Sequence, residues 1–394
     1  MKIVTAPTGA YLIGRTKVAR IPSTLYSNQD ELLSLAESYR HSVDTAAHGI
    51  QPYHVTVLTS TSCNLACPYC FQNTDSLDPG RPPARIPALQ LTMGRVEMIA
   101  AFIRSQIERL EKDGATVLLF GGEPLLRYRE CVDLLTAFAK LPLKHAGLQT
   151  NATLLTSERL EELHDLGVIR VHVTFDGDRA THDQSRKYRD GRGSFDRIMT
   201  NLEQCSSEPD IRWHIRFNVT RDSIDDIVPV FESLAEVLPT ERSTISLAPI
   251  LDYGQGAEGL IQRSDRVATM LKRCYEHILK LGFQPLPVLE SSCAYCSIEG
   301  GDGGAVVTPD GTLYSCWDIA GRREFAVGDV ETGYDKELVS ANWHHCLEGV
   351  EVDQGFGNDL YADIESELLL FWLDVWEARH RTIANQSQKG GGTQ

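Results

Sequence analysis

A chain of 394 residues has room for one large domain and a smaller one, with ample core. Its 54 acidic against 38 basic residues give a formal net charge of −16, which disfavours non-specific binding to nucleic acid or anionic lipid. No run of about eighteen residues is free of charge, so no membrane-spanning helix is expected.

The first fifty residues alternate briefly at Lys2-Ile3-Val4 and Tyr11-Leu12-Ile13, then take a helical period from Asp30 to Tyr39. Residues 1–50 therefore read as a hairpin and helix extension. From His54 the pattern changes. β-rich runs fall at His54–Ser60, Ala115–Phe120, Gly147–Thr150, Ile169–Phe175, Arg212–Thr220 and Thr244–Ile250. Helical periods follow at 89–112, 125–140, 157–166, 195–205, 223–236 and 263–282. Six βα units in series predict an α/β fold with a parallel sheet. The segment Asp75 to Pro87, with Pro79, Pro82 and Pro83, reads as a loop. An amphipathic helix is expected at Ala362–Ile383, packing back onto the body, and a disordered Gly-rich tail from Gln386 to Gln394.

Cysteine placement carries the chemistry. Cys63, Cys67 and Cys70 follow the first run in the spacing C-x3-C-x2-C. Three thiolates are one short of a closed site, so on a [4Fe-4S] cube they leave one iron open to a ligand that is not protein. A zinc ion would borrow a fourth ligand from far away, and a disulfide would leave an odd cysteine. Zinc and buried structural cysteines stay open as alternatives. A second group, Cys293, Cys296, Cys316 and Cys346, makes a complete four-ligand set for an iron–sulfur cluster or a zinc ion. Asp310-Gly311 predicts the hairpin that returns Cys316 toward the Cys293/Cys296 pair. Cys131, Cys205 and Cys274 lie in helical periods and read as core. The clustering, with no signal-peptide pattern, favours a reducing cytoplasm.

The first loop, with Tyr69 just before its third cysteine, resembles the signature of the radical S-adenosylmethionine (SAM) enzymes. That resemblance implies an open (β/α)6 partial barrel over residues 51–285. It also implies a SAM-binding [4Fe-4S] cluster on Cys63, Cys67 and Cys70, and reductive cleavage of SAM to a 5'-deoxyadenosyl radical. Gly121-Gly122-Glu123-Pro124 is similar to the family motif that contacts the methionine amine of SAM. Asn151 is similar to a ribose contact, although it also suits a helix cap, and many relatives have Gly where this chain has Ala152.

The string from Thr174-Phe175-Asp176-Gly177 through His182-Asp183-Gln184-Ser185-Arg186 to Gly193-Ser194-Phe195 resembles the subgroup that modifies peptides and proteins. The resemblance gives Thr174 and Arg186 the SAM carboxylate, with Thr in place of the commoner Ser; Asp176 reads as a turn former. Arg216 and Val219 lie in the strand that flanks adenine in relatives.

Residues 286–350 resemble a Twitch-like auxiliary extension of the SPASM/Twitch group, with one auxiliary [4Fe-4S] cluster, because the dense second cysteine block of the full SPASM form is missing. Asp318 lies two residues after Cys316, where oxidative relatives have an adjacent aspartate as base; the resemblance makes it a catalytic candidate, and a turn aspartate is the plain alternative.

The activity so implied is that of a radical SAM oxidoreductase or peptide maturase. It would abstract hydrogen from a ribosomally made precursor peptide and lead to oxidative cross-linking, as a C–C or thioether bond. A radical SAM dehydrogenase or epimerase acting on a small metabolite is the first alternative, and a non-catalytic iron–sulfur or zinc protein the second. Expected partners are the precursor peptide, a flavodoxin- or ferredoxin-type reductant and, if a leader-recognition module is used, a separate protein carrying it. No nucleic acid or membrane partner is expected.

Overall fold

The computed structural model describes residues 2–6, 9–13, 18–22, 25–44, 51–70, 72, 86–208, 210–250, 267–286, 296, 298–344, 364, 367–373 and 375. The chain separates into two units, Met1–Ile50 with Glu365–Gln394, and Gln51–Ile364.

In the first unit, β1 (Lys2–Ala6), β2 (Gly9–Ile13) and β3 (Val18–Pro22) form an antiparallel sheet, followed by α1 (Gln29–Asp44). The expected hairpin is thus a three-stranded meander. The third strand escaped the sequence pattern because Val-Ala-Arg-Ile-Pro is short and ends in proline. Ala10, Leu12, Ile21, Leu32 and Ala36 make its core. Asn28 caps α1 by accepting from the Glu31 amide at 2.9 Å, while the Glu31 carboxylate accepts from the Ser27 amide at 2.7 Å. Of the expected C-terminal helix, residues 364, 367–373 and 375 are helical; the rest of it and the tail lie outside the described residues.

The second unit is built on β4 (Tyr53–Ser60), β5 (Ala115–Gly121), β6 (Leu143–Thr150), β7 (Val168–Phe175), β8 (Arg212–Val219) and β9 (Ser243–Pro249). Their connections carry α2 (Met93–Arg109), α3 (Tyr128–Phe138), α4 (Ser157–Asp165), α5 (Arg179–Ser185), α6 (Phe195–Cys205) and α7 (Val228–Val237), and α8 (Val267–Lys280) follows β9. All six strands pair in parallel and in sequence order. Two further parallel strands extend the sheet: β10 (Gln284–Leu286) on β9, and β11 (Gly304–Val307) on β4. Both are too short for a periodic signal, and Pro285 suits an edge. The chain turns at Asp310-Gly311 into β12 (Thr312–Tyr314), as the sequence predicts, with Gly311 at φ +93°. Then come β13 (Gly328–Asp329), β14 (Gly333–Tyr334) and α9 (Lys336–Asn342). The 11-stranded sheet is open: among the described residues its end strands β10 and β14 do not pair.

Side-chain alternation divides the sheet into two faces. On β8, Trp213, Ile215, Phe217 and Val219 are fully buried, and the Phe217 ring meets Phe231 of α7 at 5.0 Å. Arg212, His214, Arg216 and Asn218 alternate with them on the helix-free face. The same division puts His54 and Leu58 of β4 and Phe120 of β5 on the helix-free side. There Leu58 and Phe120 pack with Val306, Tyr314 and Cys316.

Candidate active site

The C-terminal ends of β4 to β8 converge on the cysteine loop. Backbone bonds fasten that loop to β5: the Gly122 amide donates to the Ser60 carbonyl and the Glu123 amide to the Ser62 carbonyl, both at 2.9 Å. A Cβ on Gly122 would lie 2.3 Å from the Ser62 carbonyl oxygen, and one on Gly121 2.1 Å from that of Ser60. The glycine pair therefore lets the two protein segments approach closely. Thr61 anchors the other side, donating to the Pro87 carbonyl at 2.8 Å and accepting from the Leu89 amide at 2.7 Å. Most of the expected Asp75–Pro87 loop lies outside the described residues.

Cys63, Cys67 and Cys70 are half-buried on this loop. Burial, ahead of the nearby Glu123 charge, pushes the Cys63 thiol up to about 12, and burial raises Cys67 as well. Such thiols resist ionisation until a cationic centre is supplied, which a coordinated metal does. The Cys63 sulfur already faces two N–H donors, the Leu65 amide at 3.4 Å and the Asn151 side chain at 3.6 Å. Among the described residues no three Cys, His, Asp or Glu side chains converge as they would on one ion. In a cube each cysteine binds a different iron, so its sulfurs need not converge.

Tyr69 reaches across to β7. Its hydroxyl stands 2.7 Å from both oxygens of Asp176, accepts from Arg186 at 2.9 Å and from the Asn218 amide at 3.1 Å. Ser185 also donates to Asp176. Asp176 is buried, and burial raises its carboxyl above the ordinary range, against the lowering pull of the Arg186 charge and these donors. It is a hub of the site and more than the turn former expected. Arg186 is buried too, 3.8 Å from Asp176, and among the described residues its Nε has no hydrogen-bond partner. An orphaned guanidinium N–H at the cysteine loop fits an anionic ligand group such as a carboxylate.

The motif string between Asp176 and Phe195 holds Arg186 in place. Asp178 caps α5, accepting from the Thr181 amide at 2.9 Å, and Arg186 sits at the other end of that helix. His182 is buried against Phe175 and Phe195, with Nε2 3.0 Å from the Ser194 hydroxyl, and Ser194 donates to the Arg186 carbonyl. Asp183 accepts from the Ser194 and Phe195 amides at 2.8 and 2.9 Å. Helix α5 was hidden in the sequence because its seven residues are too few for a period.

Glu123 is fully buried; it accepts from the Thr150 hydroxyl and Asn151 amide at 2.7 Å and from the Leu125 amide at 2.9 Å. Burial raises its pKa against the pull of those donors. Asn151 is spent on the cysteine loop: its side chain donates to Asn64 at 2.9 Å and to Cys63, and accepts from Thr153. It does not cap the next helix; Thr156 does. Ala152 takes φ +60°, a conformation that suits the glycine of many relatives. Thr174 lies on the helix-free face opposite Arg216, whose Nε donates to Asn218 at 2.8 Å. Val219 points the other way, into the helix-side core, so its side chain is turned from the Tyr69 face.

In the second cysteine group, Cys296 and Cys316 are buried, and Cys293 and Cys346 lie outside the described residues. Cys316 packs beside Leu58 and Phe120. Asp318 sits half-buried in the 3₁₀ turn that follows, whose Trp317 ring lies 5.8 Å from Phe120. Sequence reasoning missed Asn218 near the end of β8, Ser185 at the end of α5 and Asn64 on the cysteine loop; single polar residues give no spacing signal.

An open parallel sheet with three thiols and a buried cation at the ends of its strands defines a cofactor-binding α/β partial barrel. Residues 57–234 match the radical SAM superfamily model, and the chain carries a radical SAM domain. The chain is 29% identical over 175 residues to Fe-coproporphyrin III synthase of Methanosarcina barkeri, covering 44% of this chain and 39% of that protein. It is 25% identical over 319 residues to the mycofactocin maturase MftC of Mycobacterium ulcerans, covering 77% of each. The structure of native anSMEcpe with bound AdoMet and Cp18Cys peptide superposes with a TM-score of 0.61 at 18% identity, covering 82% of this chain and 99% of that one. The chain thus spans less than two thirds of the length of the first of these relatives.

Proposed function

We propose that this protein is a cytoplasmic radical SAM enzyme that modifies a ribosomally synthesised peptide by hydrogen abstraction, leading to an oxidative C–C or thioether cross-link. The observation that carries the reading is the buried Arg186, whose Nε has no hydrogen-bond partner among the described residues, held at the cysteine loop where burial makes the Cys63 and Cys67 thiols hard to ionise. Cys63, Cys67 and Cys70 would hold a [4Fe-4S] cluster, and Arg186, with Thr174 nearby on the sheet, would hold the SAM carboxylate. When bound, the cluster supplies the electron that cleaves the sulfonium bond of SAM and furnishes the hydrogen-abstracting species.

The chain's own residues position and shield. Tyr69 and Asp176 fix Arg186, Asn151 orients the cysteine loop, and Glu123 locks β5 to β6 beneath it. Cys293, Cys296, Cys316 and Cys346 would hold one auxiliary cluster, and Asp318 would serve as base. The peptide substrate is supported by similarity to a maturase and to a fold seen with a peptide bound. Anaerobic incubation with SAM, reductant and a precursor peptide encoded beside this chain tests it by mass spectrometry. Formation of 5'-deoxyadenosine with loss of two hydrogens from the peptide is expected; SAM left intact, with reduced cluster present, would remove the reading.

A further inference from the structure

The helix-free face carries three tiers of side chains on β7 and β8, set by the strand register: Arg170 opposite Arg212, His172 opposite His214, and Thr174 opposite Arg216. Arg170 and Arg212 are exposed, and among the described residues no carboxylate lies within ion-pair distance of either. Like charges directly opposite on neighbouring strands repel. Such a pair is unexpected in a chain with 54 acidic residues available to separate it. His145 of β6 lies on the same face, two residues before Gly147, which stands opposite Arg170; its pKa is lowered by burial first and then by the charges of Arg170, His54 and Arg212. Nitrogen-bearing side chains from three adjacent strands therefore gather on the face that also presents Asn218 to Tyr69.

From this arrangement we infer that Arg170, Arg212 and His145 form an anion-binding row for an acidic side chain of the peptide substrate, a reading that rests on the function proposed above. Planar guanidinium groups suit carboxylates because each fork can bind both oxygens. The row sits four to six residues down the strands from Arg216 and Asn218, about 13–20 Å at 3.3 Å per residue. An extended peptide covers that distance in about four to six residues.

Binding of acetyl-tetraglutamate amide to the anaerobically reconstituted full chain tests the row. The native protein is expected to bind it, with affinity falling as salt is added, and to ignore acetyl-tetraglutamine amide. The double variant Arg170→Gln/Arg212→Gln binds at least tenfold more weakly, whereas Arg104→Gln, at an exposed position on α2, binds as the native chain does. Removing mutual repulsion leaves the melting temperature of the double variant no lower than native; should it drop, Arg212→Gln alone still shows weakened binding. Equal affinity in native and Arg212→Gln chains overturns the row, and free glutamate binding as tightly as the tetramer overturns its assignment to a peptide. Formation of 5'-deoxyadenosine by the native chain with SAM, reductant and the precursor peptide is scored separately. Its absence beside intact row-dependent binding overturns the functional reading alone; its presence without row-dependent binding overturns the row alone.

Discussion

Tyr69 and Asp176 are 107 residues apart in sequence, yet the phenol hydroxyl sits 2.7 Å from both carboxylate oxygens. That contact ties the cysteine loop to the end of β7 and sets where Arg186 can lie. Tyr69→Phe removes a donor to a buried carboxylate and the acceptor that Arg186 uses. A loss of about 1.5–3 kcal/mol in unfolding free energy is expected, the range for hydrogen bonds to charged groups. SAM affinity, read by equilibrium dialysis, should fall with it. A variant with native stability and native SAM binding would show that the contact is incidental.

Gly122 gives the second prediction. An alanine Cβ would lie 2.3 Å from the Ser62 carbonyl oxygen and 2.7 Å from that of Thr61, both backbone atoms of the cysteine loop. Backbone cannot yield as a flexible side-chain end can, so Gly122→Ala is expected to displace the loop at a cost of about 1–3 kcal/mol. Reconstituted iron content at the first cluster should drop in the same variant. Full iron loading at native stability would contradict the packing argument.

The paired imidazoles on the helix-free face predict a pH response. His172 is held down to about 4 and His214 to about 3, by burial first and then by neighbouring positive charge, which for both includes Arg216. Their Nδ1 atoms are 3.1 Å apart, and His214 Nε2 is 2.8 Å from the Ser246 hydroxyl. The unfolded chain takes up protons near pH 6.5 that the folded chain refuses until about 4 and about 3. Stability is therefore fully present above pH 6.5 and is lost as pH falls from there. Each imidazole contributes a slope of at most about 1.4 kcal/mol per pH unit. Urea unfolding at pH 7 and pH 5 should show a smaller drop for His172→Gln/His214→Gln than for the native chain; an equal drop would assign the acid sensitivity elsewhere.

Much of this architecture was legible because long runs carry periodicity. The six strands from β4 to β9 and the Asp310-Gly311 turn stand where apolar runs and turn chemistry put them. What escaped was short or single: β10 and β11 with three and four residues, α5 with seven. Arg186 was legible through its motif, but the clasp of His182, Asp183 and Ser194 that holds it was not, since contacts between side chains far from a common period leave no one-dimensional trace. Asn151 shows the converse. Its position after β6 was readable, while its use on Asn64 and Cys63 depends on a loop 87 residues earlier in sequence.

Iron counting separates the two cysteine groups. If each holds a [4Fe-4S] cluster, the reconstituted native chain carries about eight irons. Replacing Cys63, Cys67 and Cys70 together with alanine should leave about four irons and abolish SAM cleavage. Cys316→Ala should disturb the other set. Its sulfur lies in an apolar cluster with Leu58 and Phe120, which directly precedes Gly121, so losing the auxiliary ligand should also loosen the floor beneath the glycine pair. The expected sign is a lower melting temperature together with a lower iron content, while the first cluster still cleaves SAM. Zinc in place of iron in the triple alanine variant, measured by plasma emission, would assign the second group to a structural ion, whose closed four-ligand site has no redox use.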